Sequence, residues 1–149
     1  MKENCFVVEP SIAIIIIKDD GFRAYGNTVY TKGLDSGQVL MFAHLDSINV
    51  QPNQRLEKGD IVGEIGSTGY CSSGAHLHTS LFSKDETSYY ARNTIDPKEY
   101  YIKYGLPCRT IMTNPYGSKH FNDKAQDKNG DQSLKAHEGN DFSSYRLRV

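Results

Sequence analysis

Between residues 27 and 82 turn-forming residues cut the chain into short β-rich runs, and that rhythm limits its fold more than any other feature. "NTVYTK" (27–32), "QVLMFAHL" (38–45), "DIVGEIG" (60–66) and "AHLHTSLF" (75–82) are blocks of strand length, rich in β-branched and apolar side chains. "GLDSG", "QPNQRLEKG" and "GSTGYCSSG" separate them, and five of the 13 glycines lie between Gly59 and Gly74, where tight turns call for positive φ. The spacing predicts a mainly β fold, an antiparallel, hairpin-built sheet or sandwich. "IAIIII" (12–17) reads as one more strand, a buried one, and is far too short to cross a bilayer. The one good helix signal is "DPKEYYIKYG" (96–105): Asp96 caps it, Pro97 suits the first turn and Gly105 ends it. Residues 119–136 are polar and patternless, a long loop. With no internal repeat and no low-complexity linker, residues 1–149 read as a single domain.

A chain of this size can bury a core of its own. Its 17 basic and 18 acidic residues leave a net charge of −1, which gives no electrostatic basis for binding nucleic acid or a membrane surface. Cys5, Cys71 and Cys108 are too few and too irregularly spaced for a disulfide framework or a zinc ribbon. They read as scattered reduced thiols, with room for one chance pair. Glu3, Glu9 and Pro10 before the isoleucine run, and "KDD" after it, make a poor signal peptide. Work outside the cell would then imply association with a virion, release by lysis or non-classical export.

Histidine is scarce, and occurs only at positions 44, 76, 78, 120 and 137. A strand over "AHLHTSLF" turns His76 and His78 to one face, and Leu77, Thr79 and Leu81 to the other. Two charged imidazoles so close would repel, whereas neutral imidazole is a good zinc ligand, so a metal removes the conflict. In "HEGND" (137–141) His137 and Asp141 share one side of either a helical turn or a strand. Together the two motifs supply three ligands and a spare imidazole. A catalytic zinc site uses three protein ligands and keeps one position open for water. Either motif alone is weak; the pair, in a chain so poor in histidine, is specific.

From Tyr25 to Phe82, "YGNTVYT…VLMFAHLDSINVQPNQRLEKGDIVGEIGSTGYCSSGAHLHTSLF" resembles the central block of the lysostaphin/LytM-type zinc endopeptidases, which cut peptide bonds in bacterial peptidoglycan. "IDPKEYY" resembles the segment that closes that domain. "TNPYGS" (113–118) and "HEGNDFSS" (137–144) resemble its opening, which normally comes first. The order therefore looks circularly permuted, with the family's first segment at 108–149. Domain termini are often close together at the surface, so permutation is physically reasonable. A swap completing the site of a neighbouring copy, and a gene fragment holding parts of two modules, account for the same motifs.

The resemblance implies a LytM-type β fold and a peptidoglycan peptide as substrate. It also implies one zinc ion per site, held by His78, His137 and Asp141, with His44 and His76 as the catalytic imidazoles. Zinc would polarise the attacking water while the two imidazoles move protons and stabilise the oxyanion. Without the resemblance, His44 reads as an ordinary strand histidine sharing a face with Leu40 and Phe42, and His76 and His78 as a hydrogen-bonded surface pair. Two positions depart from the family pattern: Asn140 replaces an aliphatic residue and would loosen the hold on Asp141, and Ala75 stands where proline is common.

Some patterns compete with this assignment. "DKNGDQSLKAHE" (127–138) spaces Asp127, Asn129, Asp131 and Glu138 like a calcium loop, but Gln132 takes the place of the required glycine, so Ca2+ is disfavoured. "INVQPNQRLEKGDIVGEIG" (48–66) has the hairpin rhythm of lipoyl and biotinyl carriers, yet Lys58 lacks their Met or Asp setting and the histidines go unexplained. An inactive scaffold or binding module in a cell-wall or phage-tail assembly is the remaining alternative. A larger virion assembly or a domain-swapped homo-oligomer would be the partner of such a chain, and a phage-encoded or tail-associated lysin its setting.

Overall fold

The runs between residues 27 and 82 form strands where their composition predicts them. A computed structural model describes residues 3–70, 72, 74–109, 111–114, 116 and 139–143. The strands are β1 (Asn4–Phe6), β2 (Ser11–Ile17), β3 (Asn27–Gly33), β4 (Val39–Ile48) and β5 (Arg55–Leu56), then β6 (Ile61–Ile65), β7 (Leu77–Phe82), β8 (Ile111–Asn114) and β9 (Asn140–Ser143). Among the described residues they join in one antiparallel sheet of order β5-β2-β3-β4-β7-β9-β8, with β6 bridging β4 to β1. The single described α-helix, α1 (Lys98–Tyr104), follows a 3-10 turn at Ala91–Asn93. The fold is mainly β and antiparallel, as the hairpin spacing predicts.

Alternation along the strands sorts the two faces. Val29, Leu40, Phe42, Leu77, Leu81 and Phe142 turn inward to the main core, and Tyr100 and Tyr101 of α1 close it. On the opposite face Val39, Met41, Ala43 and Phe82 form a smaller patch, against which the half-buried rings of Tyr25, Tyr30 and Tyr89 pack. Each fully buried aliphatic or aromatic side chain contributes about 1.5–3 kcal/mol, so the main core carries most of the stability. The helix begins one residue later than expected, with Pro97 rather than Asp96 at its N-cap, although the Lys98 amide donates to Asp96 Oδ1 at 3.0 Å; Gly105 ends it, as expected, at φ 97°.

The isoleucine run departs from its expected depth. β2 lies near the edge of the sheet, between β3 and the two-residue β5. Only Ser11 and Ala13 of β2 are buried, and Ile15 is 36% exposed. An unbroken apolar run reports β propensity, while depth depends on how many elements cover the strand.

The acid just before β2 is fully enclosed. Glu9 is 1% exposed, and its Oε1 accepts from the Asp35 and Ser36 amides at 3.1 and 2.9 Å. Oε2 accepts from Ser36 Oγ and Tyr100 Oη, both at 2.7 Å. One carboxylate thereby ties the β3–β4 turn and α1 to the start of β2. Gly33 leaves room for it, since a Cβ there would collide with the Glu9 carboxyl group.

Candidate active site

β7 builds the centre of the site. Leu77 and Leu81 anchor it at 0% and 1% exposure, so His78, between them in the alternation, faces the opposite side. β9 pairs beside it in the register Leu77↔Phe142, His78↔Asp141 and Thr79↔Asn140. Phe142, 0% exposed, holds β9 in the core with its ring 6.0 Å from that of Tyr101. Asp141 is thereby delivered to the His78 side, where its Oδ1 lies 2.9 Å from His78 Nδ1. Gly139 permits this approach, because a Cβ there would strike the His78 ring. Asn140, the departure from the family pattern, is 2% exposed on the core side opposite Thr79, whose hydroxyl hydrogen-bonds Tyr101 Oη at 2.6 Å.

His76 precedes β7 and bridges Gly66. Its Nδ1 donates to the Gly74 carbonyl at 2.8 Å, which leaves Nε2 as the accepting nitrogen, 3.8 Å from Asp141 Oδ1. The HxH pair therefore converges on one carboxylate, in line with the shared face read from its spacing.

His44 does not share a face with Leu40 and Phe42, as plain alternation along β4 requires. Its φ is 62°, a left-handed conformation uncommon for a residue with a side chain. On β4, Ala43 and His44 together oppose the single residue Thr28 of β3, because Phe42 pairs with Val29 and Leu45 with Asn27. This bulge re-aims the side chain. The His44 ring comes to 4.7 Å from that of His76 and 6.1 Å from that of His78, while Leu40 and Phe42 stay in the core. Its Nδ1 donates to the Thr68 carbonyl at 2.8 Å, so Nε2 accepts. Burial pushes its pKa down to about 4, against the upward pull of the Thr68 bond, so the ring is neutral near pH 7.

Three supporting residues, Thr68, Ser80 and Tyr25, lie inside the block that carries the resemblance but receive no role from the sequence. Thr68 holds His44 through its carbonyl, and its hydroxyl donates to the Leu45 carbonyl at 2.7 Å. Ser80 Oγ lies 3.0 Å from His78 Nε2. The Tyr25 ring stacks on His78 at 5.4 Å, and the Tyr25 carbonyl accepts from the His44 amide at 2.8 Å. Period-two spacing places Ser80 on the His78 face, the only sequence signal that points to any of them.

His137, His120, the 119–136 loop and the 127–138 calcium-like stretch lie outside the described residues. Among the described residues no three His, Cys, Asp or Glu side chains gather as a metal cage. The donor chemistry still suits zinc: His78 Nδ1 and Asp141 Oδ1 are a borderline nitrogen and a carboxylate oxygen aimed at each other, with the His44 and His76 rings beside them. No helix among the described residues is long and apolar enough to cross a membrane.

Comparison with known proteins bears on this arrangement. The catalytic domain of the antimicrobial peptidase lysostaphin from Staphylococcus simulans is similar at 21% identity and TM-score 0.57, over 67% of this chain and 71% of that one. LytU is similar at 23% identity and TM-score 0.57, over 71% and 68% of the two chains. The catalytic domain of the prophage-encoded EnpA from Enterococcus faecalis gives 20% identity and TM-score 0.54, over 67% and 72%. At such identities these likenesses speak for the fold. The sequence profile described as Peptidase family M23 matches residues 8–91, a stretch that contains His44, His76 and His78 and stops short of Asp141. That match spans more than half of the chain, and the protein belongs to Peptidase family M23.

Proposed function

We propose that the chain is a zinc-dependent endopeptidase that hydrolyses peptide bonds of bacterial peptidoglycan. Residues 1–149 form one domain in this reading, with the family's opening segment displaced to 108–149. The observation that carries it is the pairing of β9 with β7, which brings Asp141 against His78 within a single chain.

His78, Asp141 and His137 would hold the metal. Bound zinc supplies Lewis acidity and lowers the pKa of a water molecule toward neutrality. To ligate through Nδ1, His78 would carry its proton on Nε2, and the Ser80 hydroxyl, which can accept as well as donate, is placed to take that bond and hold the ring orientation. His44 and His76 each have Nδ1 committed to a carbonyl, so each offers Nε2 to the reacting atoms. Neutral His44 is in the form that takes a proton from an attacking water. Charged after that transfer, it stabilises the developing oxyanion and returns the proton to the leaving amine. The left-handed His44 backbone is the kind of strain that persists where surrounding bonds over-determine it, and the Thr68 and Tyr25 carbonyls supply those bonds.

The test is bound zinc per chain in purified monomer, with His137→Ala in parallel and a wall-digestion assay on both. One equivalent in the wild type, lost with digestion in the variant, is the expected result. Zinc that appears only in dimers would instead mean a site shared between copies. A zinc-free monomer that digests nothing would leave an inactive scaffold or binding module in a cell-wall or virion assembly.

A further inference from the structure

Beside the histidines lies a half-open cavity of about 280 Å³ that the proposed chemistry does not use. Ile17 of β2, Thr28 and Tyr30 of β3, and Phe22, Arg23 and Tyr25 of the connecting loop line it. Tyr25 belongs to both places: it is part of the cavity lining, and its ring stacks on His78. The loop is shaped by its own side chains. Asp19 and Asp20 accept from the Gly21 and Phe22 amides at 2.9 and 3.0 Å, and the Tyr70 amide donates to the Arg23 carbonyl at 3.2 Å. Phe22, at 84% exposure, leaves a large apolar ring at the mouth with no core role.

We propose that this cavity receives the side chain of a substrate residue adjacent to the scissile bond, and so selects peptides bearing bulky side chains over oligoglycine. The inference rests on the peptidase reading and adds the substrate class. A glycine residue would leave the cavity unfilled, whereas an aliphatic side chain would bury its surface among three aromatic rings. Among the described residues of the lining Arg23 is the one that is charged, and its contact with Asp20 is a loose 3.9 Å. An anionic tip is therefore preferred to a cationic one.

The experiment uses zinc-loaded full chain and acetylated glycine pentamers, each with Leu, Glu or Lys at one position. Cleavage rates are followed by mass spectrometry, and binding by calorimetry. The Leu and Glu peptides should exceed pentaglycine by about tenfold or more in kcat/KM, the scale set by one well-filled apolar pocket. Phe22→Ala and Ile17→Trp should shrink that ratio, and Arg23→Ala should erase the Glu-over-Lys preference. Equal cleavage of pentaglycine would overturn the pocket while leaving the peptidase. No cleavage, but tighter binding of Leu and Glu peptides that Phe22→Ala abolishes, would keep the pocket and overturn the peptidase. Neither cleavage nor selective binding would overturn both.

A separate observation concerns Cys5 and Cys108. They face each other across an isolated antiparallel bridge, and both thiols are reduced and buried, at 0% and 5% exposure. The Phe6 amide donates to the Pro107 carbonyl at 2.8 Å, which makes Cys5–Cys108 a non-hydrogen-bonded pair, the position where cross-strand side chains come closest. Such pairs fall within the Cα separation that a disulfide spans. We infer that the two cysteines form a disulfide when the chain folds in the presence of a disulfide oxidant such as oxidised glutathione. One cysteine thiolate attacks the oxidant's disulfide and expels one glutathione thiolate. The second cysteine thiolate then attacks the mixed disulfide and expels the other. Two protons leave the cysteines and two electrons reduce the oxidant. Burial, and then the neighbouring Cys108, raises the Cys5 pKa, so exchange belongs to folding rather than to the folded state.

The check is refolding of the full chain in a glutathione redox buffer, followed by peptide mapping and thermal melts with and without reductant. A Cys5–Cys108 linked peptide, absent in Cys108→Ser, and a Tm that falls on reduction are expected. Linkage through Cys71 instead, or three free thiols after refolding, would overturn the inference.

Discussion

Glu9 and Asp141 are both buried carboxylates, at 1% and 6% exposure, yet their surroundings assign them opposite work. Four donors surround Glu9, two backbone amides and two hydroxyls, none of which titrates near neutrality in a buried setting. That shell satisfies the charge and ties three elements together. Asp141 instead faces two imidazoles, the closer at 2.9 Å and the other at 3.8 Å. Imidazoles exchange protons and bind metals, so this carboxylate sits among groups that can change state. A carboxylate enclosed by fixed donors builds structure, and one set against imidazoles is equipped for exchange.

Substitution should separate the two. Asp141→Ala should lower kcat/KM about a thousandfold or more, about 4 kcal/mol of transition-state stabilisation, while changing stability by only about 1 kcal/mol. Wall digestion and urea melts on the same preparation read both effects, and a large loss of stability would break the contrast. Glu9→Ala should do the reverse and cost about 3 kcal/mol of unfolding free energy, read from the urea melt, because several donors lose their acceptor at once. Gly33→Ala should approach that loss, since its methyl group displaces the same carboxyl. Combined with Glu9→Ala it should cost less than the sum, as expected of two changes acting on one contact. The smallest effect is expected at Ser80: Ser80→Ala should weaken zinc affinity about 10–100-fold, measured by competition with a chelator, with little change in the metal-free melt.

The sequence disclosed strands more readily than their surroundings. β3, β4, β6 and β7 follow from alternation and turn chemistry, which are local. The depth of β2 does not, because "IAIIII" looks the same at an edge as in the middle of a sheet. Alternation assigns His44 to the face of Leu40 and Phe42, wrongly, since the one-residue bulge at Ala43–His44 leaves no mark in the pattern. The β7–β9 pairing joins residues 63 positions apart, beyond the reach of any periodicity. Only the likeness of "HEGNDFSS" to a segment that normally comes first pointed there. Glu9 read as one acid among many before Pro10. Its enclosure arises from Ser36 and Tyr100, residues 27 and 91 positions away.

The separation between His78 and Asp141 also sets a clock. At a synthesis rate of roughly 5–20 residues per second, the 63 positions between them correspond to about 3–13 s, during which β7 has β4 but not β9 to pair with. Through that interval the nascent chain has the HxH strand but not the carboxylate beside it. A chain of this order is built with His78 and Asp141 apart, and their contact forms only once β9 has emerged and docked.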